Sequence, residues 1–117
     1  MVAANKFTDR IAENLTATFL INTTTSNPIN LGGCSLVGLI MPNSFTGTSI
    51  TFKASNDGSN FYDMYNASGT QLTVTVATAS SRWIALTPSD FAGVKHIKIV
   101  GLSQAAQRSI AIVTRSL

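Results

Sequence analysis

Residues 31–42 read Leu-Gly-Gly-Cys-Ser-Leu-Val-Gly-Leu-Ile-Met-Pro, apolar at nearly every position, and they constrain the fold more than any other stretch. A strand of this kind asks to be covered on both faces. Residues 49–61 behave differently: Ile50, Phe52 and Ala54 alternate with Thr51, Lys53 and Ser55, and the pattern breaks at Asp57-Gly58. A half-buried strand running into a hairpin has this signature. Together the two stretches predict a compact antiparallel β-sandwich or jelly roll with more apolar surface than a small core can hide.

The rest of the chain fits that prediction. Thr16–Asn22 is rich in β-branched and aromatic residues and reads as a strand, closed by the polar loop Thr23–Pro28. Pro42 ends the apolar strand because it has no N–H for a ladder, and Gly38 within that strand marks a bulge or a close backbone approach. Phe61–Tyr65, Gln71–Val76, Arg82–Leu86, Val94–Val100 and Ser109–Thr114 are further strand candidates, with a turn at Asn66–Gly69. Thr87-Pro88 followed by Gly93 predicts one helical turn over 88–93, capped by Thr87. The all-β pattern amounts to about eight short strands separated by turn signals. Two parts are expected: an N-terminal arm over 1–15 and a sandwich domain over 16–117. Phe7, Ile11 and Leu15 recur every fourth residue, so the arm is either a short amphipathic helix or a segment that orders on a neighbour.

At 117 residues the chain suffices for one domain with a real core. Charged residues make up only 11%, against about 25% in an average soluble domain. Thr, Ser, Asn and Gln supply the polarity instead. A surface wetted by neutral groups suits a protein packed into an assembly, where every buried charge needs a partner. The net charge of +3 is spread along the chain, with one loose cluster at Lys95-His96-Ile97-Lys98. A nucleic-acid groove interleaves a basic stripe with stacking aromatics, so a solvated strand face is the reading here and no direct nucleic-acid contact is expected. A single cysteine excludes an internal disulfide, and Cys34 within the apolar run is expected to pack as a small hydrophobe. No secretory signal is expected at Met1–Phe7, and no apolar run reaches the roughly 18 residues of a membrane span.

Chemistry-bearing residues are few. Asp57 and Asp90 have turn and helix-start duties, Asp63 alternates out of a strand, and Asp9 and Glu13 lie in the arm, so no facing carboxylate pair is expected. His96 has no nucleophile elbow to serve, and one Cys with one His makes no zinc site. Asn56, Asp57, Asn60 and Asp63 form a sparse oxygen set, but Asp57-Gly58 is accounted for by its turn. The sequons at Asn14, Asn22 and Asn66 come with Thr/Ser/Asn-rich composition. No catalytic, metal or cofactor site is therefore assigned. Phe52 and Phe91 read as core, and burial is also the default for Trp83. Tyr62 and Tyr65 fall on opposite faces of a continuous strand and would not make one flat platform.

The succession Leu31-Gly-Gly33, Leu36–Pro42, Ile50–Gly58, Ile84–Pro88, Asp90–Val94 and Ile97–Ile99 resembles a family of small β-sandwich proteins encoded by tailed bacteriophages and prophages. The resemblance covers residue 31 to the C-terminus. The hairpin at Ser55–Gly58, followed by an aromatic, is similar at fold level to discoidin-like galactose-binding jelly rolls. The phage resemblance implies a virion structural protein, made in a bacterial cytoplasm and placed on the capsid surface as a decoration or cement protein. It further implies a homo-oligomer, a trimer foremost, in contact with the major capsid protein. With the apolar surplus, it makes Phe7, Ile11, Leu15, Val37, Leu39 and Met41 the expected interface residues. The alternative is a carbohydrate- or receptor-binding module of a tail or fibre, binding a glycan near Phe61–Tyr65.

Overall fold

The computed structural model describes residues 15–76 and 81–115. Nine strands lie among them: β1 Leu15–Phe19, β2 Ile29–Asn30, β3 Ser35–Met41, β4 Ser49–Ser55, β5 Tyr62–Asp63, β6 Thr73–Thr75, β7 Arg82–Ala85, β8 His96–Val100 and β9 Arg108–Arg115. They form two sheets, one ordered β1-β9-β3-β7 and the other β2-β8-β4-β5, with β6 also paired to β4. Every strand pairing is antiparallel. The molecule is the β-sandwich that the alternating patterns predict.

The core lies between the sheets. Leu36, Leu39, Met41 and Ile110 meet Phe52, Ile97 and Ile99, all fully buried. Two edge-to-face aromatic pairs tie the layers, Phe19–Phe45 at 5.3 Å and Phe52–Phe91 at 5.1 Å between centroids. That geometry sets the positive ring edge against the negative face of its partner.

The apolar strand β3 occupies an interior position, between β9 and β7. Its register against β9 shifts between Leu36 and Gly38. The extra residue changes the inward phase, so Leu36 and then Leu39 and Met41 all reach the core. Gly38 also provides the close approach: a Cβ there would lie 3.1 Å from the Trp83 indole nitrogen.

Several local expectations shift. β1 opens at Leu15 and stops at Phe19 rather than Asn22. There the Leu20 carbonyl accepts both the N–H and the hydroxyl of Thr23, and Asn22 takes a positive φ of 63°. The predicted helical turn is a 3-10 turn over Pro88–Phe91, and Thr87 caps it through its carbonyl, which accepts Asp90 N–H, not through its side chain. Gly93 leaves that turn with φ +82°, a conformation only glycine adopts cheaply. Cys34 is buried, as its place in the apolar run predicts.

One buried polar side chain locks two loops together. Gln104, only 1% exposed, accepts Thr46 N–H at 2.9 Å and donates to the carbonyls of Thr46 (3.0 Å) and Leu102 (2.7 Å). Its own carbonyl accepts Asn22 N–H.

Candidate functional site

Two surface regions stand out. The first is the outer face of the β1-β9-β3-β7 sheet. Registers set Thr16 opposite Ala111, Ala111 opposite Ile40 and Ile40 opposite Trp83. Period-two alternation places these four side chains on one face, away from the core residues Ile112, Leu39 and Ile84. They make a single row across the whole sheet. Val113, Gly38 and Ala85 form the adjacent row. Trp83 is 60% exposed and Ile40 37%. An antiparallel sheet facing water ordinarily carries polar residues there; here three of the four row residues are apolar, and polar Thr18 and Ser109 lie beside the row, 3.4 Å apart through their hydroxyls.

The expected interface residues divide. Leu39 and Met41 are fully buried and present nothing to a partner, because the bulge turns both inward. Val37 is half-buried, and Leu15 is half-buried and packs on the core. Phe7 and Ile11 lie outside the described residues. The surplus apolar surface of this sheet is instead carried by Ile40 and by Trp83, whose expected burial is overturned. The signal was present in the sequence: Ile84 and Leu86 share one phase of the strand, which leaves Trp83 and Ala85 on the other.

The second region is a groove of about 390 Å³ at the β4–β5 hairpin, between Tyr62, Met64 and Tyr65 on one side and Gly93 and Val94 on the other. β5 lasts only two residues, and Tyr65 then bridges to Gln71. The alternation that would separate the two tyrosines therefore does not continue. Both border the same groove, with Tyr62 70% and Tyr65 59% exposed.

The hairpin beneath is rigidly built. The Asp57 carboxylate accepts N–H bonds from Asn60 and Ser59, the Asn60 amide and the Ser55 hydroxyl. These donors, the Asn60 backbone N–H first, hold its carboxyl well below the ordinary 3.8. Gly58 supplies the positive φ of +82°, and a Cβ there would meet the His96 ring at 3.3 Å. Asp63 pairs with Lys53 at 2.9 Å, and Lys98 lies 4.3 Å over the Phe61 ring. Asp57 and Asp63 thus have structural partners, and among the described residues no three of His, Cys, Asp or Glu gather as metal ligands would.

Fold and surfaces together define an antiparallel β-sandwich with an exposed apolar row on one sheet and a tyrosine-bordered groove on the other. Among solved structures it is similar to the SPBc2 prophage-derived protein YomS, at 15% identity and a TM-score of 0.49 over 90% of this chain and 97% of that one. It is also similar to CBM32-1 from a family 31 glycoside hydrolase of Clostridium perfringens, at 16% identity and a TM-score of 0.46 over 87% and 77% of the two chains. A third is chitosan-binding module 2 from a chitosanase/glucanase of Paenibacillus sp. IK-5, solved with chitotriose, at 16% identity and a TM-score of 0.43 over 88% and 94%. No protein family and no curated protein matches the sequence. At these identities no functional residue carries across.

Proposed function

We propose that the protein is a non-enzymatic virion structural component, a capsid decoration protein that forms a homotrimer and seats on the major capsid protein. The observation that carries this reading is the row Thr16–Ala111–Ile40–Trp83, a largely apolar outer sheet face that ends on the edge strand β7 in an exposed tryptophan, a surface a neighbouring copy would cover. Tryptophan is over-represented among residues that dominate interface energies, because its large ring excludes water when buried. The low charge of the chain, 11%, keeps the desolvation cost of such a contact small. The motif order shared with small phage sandwich proteins points the same way.

Light scattering on the purified protein tests the self-association. A mass of three chains is expected, falling to one for Trp83→Ser and for Ile40→Ser while the circular dichroism of the fold persists. Electron microscopy of purified particles tests the location, with density for the protein expected on the head. A monomeric parent, or particles that lack the protein on the head, would overturn the reading.

A further inference from the structure

The tyrosine groove lies on the other sheet from the assembly row and has no part in that reading. We propose that it binds a neutral oligosaccharide. The groove adjoins, and shares Asn56, Gly93 and Val94 with, a second depression of about 370 Å³ that reaches Gly33 and Lys95. Each part falls within the roughly 300–1,000 Å³ of small-molecule sites, and together they make a trough rather than a closed pocket. A linear chain of rings fits a trough. Gly33 and Gly93 border it with open space beside them, where a Cβ would meet nothing within 4 Å.

The chemistry selects the class of occupant. Two exposed phenol rings at one end offer flat apolar faces to the C–H face of a pyranose, with hydroxyl tips left for hydrogen bonds. Asn56 sits between the two halves, exposed, and among the described residues its carboxamide takes no hydrogen bond. It therefore has a donor and an acceptor to offer a sugar hydroxyl. Charge is nearly absent. Asp63 is neutralised by Lys53 and Asp57 is consumed by its turn, which leaves Lys95 at the far end. A highly charged polymer finds little complement here, while a neutral polyol leaves no charge unpaired.

The test titrates isotope-labelled full-length protein with cellotetraose, maltotetraose, chitotetraose and a β-galactan tetrasaccharide, followed by amide chemical shifts, with a neutral tetrapeptide in parallel. At least one tetrasaccharide should give saturable shifts centred on Asn56, Tyr62, Tyr65 and Val94, with a Kd of about 1 mM or tighter. Tyr62→Ala and Tyr65→Ala should each weaken binding about tenfold, or about 1.4 kcal/mol. Tyr62→Phe should keep most of it, and none of these variants should change the mass by light scattering. The inference fails if no tetrasaccharide saturates, if the peptide binds there instead, or if the double alanine variant binds as the parent does. A failure of the trimer leaves this outcome unaffected, because none of Asn56, Tyr62, Tyr65 and Val94 belongs to the row.

Discussion

Replacing Gln104 with Glu should convert a pH-insensitive loop lock into one that opens as the pH rises. In the parent, the carboxamide accepts one N–H and donates two, to Thr46 and Leu102 carbonyls at 3.0 and 2.7 Å. A protonated carboxyl in its place still accepts from Thr46 but donates only once. One buried carbonyl loses its donor, which costs about 1–3 kcal/mol. The ionised form donates nothing, turns negative oxygen toward two carbonyls, and does so at a site 1% exposed. Burial of this degree raises a carboxyl pKa by about 3 units or more. The folded state then holds the proton longer than the unfolded state. Stability therefore falls from the unfolded value near pH 4.3 up to the raised folded value, by about 1.4 kcal/mol per pH unit.

A 3-unit rise removes about 4 kcal/mol between pH 4 and pH 7, out of the 5–15 kcal/mol typical of a domain. At about 4–8 °C per kcal/mol the additional Tm depression at neutral pH is roughly 15–30 °C. Thermal melts of parent and Gln104→Glu at pH 4 and 7.5, followed by circular dichroism, read this as a difference of differences. Any pH dependence common to both proteins, that of Asp57 included, cancels. An equal Tm gap at the two pH values would refute the buried-donor account of this residue.

Two further outcomes follow from packing and charge. Asp57→Asn should lower stability above about pH 4; because the folded carboxyl of the parent titrates below the unfolded one, that advantage shrinks as pH falls further, and the gap between the urea midpoints of the two proteins should narrow steadily from about pH 4 to about pH 2. Phe91→Ala removes a ring 2% exposed in edge-to-face contact with Phe52 and should cost about 3–5 kcal/mol in urea unfolding, with loosening of the Gly93–Val94 wall visible in amide exchange.

The sandwich itself was legible because period-two alternation in Ser49–Ser55 and turn residues such as Asp57-Gly58 encode local geometry directly. Phe52 and Phe91 were likewise read as core, and Gly38 as a bulge or close approach; it proves to be both, at the register shift and beneath the Trp83 indole. The contact surfaces were less legible. A bulge moves the inward phase by one residue, and no composition signal says on which side of Gly38 this happens, so Leu39 and Met41 were expected outward. The tyrosines were separated by assuming a strand that in fact ends at Asp63. Gly93 and Val94 join them only through tertiary folding, across about thirty residues of sequence that no local pattern bridges.

The β2-β8-β4-β5 sheet is bordered by short strands, Ile29–Asn30 at one end and Tyr62–Asp63 with Thr73–Thr75 at the other. Neither border has a long run of bare peptide to template an incoming chain, so fibril growth along this sheet is disfavoured. Neighbours are thereby directed to meet through side chains, where fit can discriminate between them, rather than through the indiscriminate backbone.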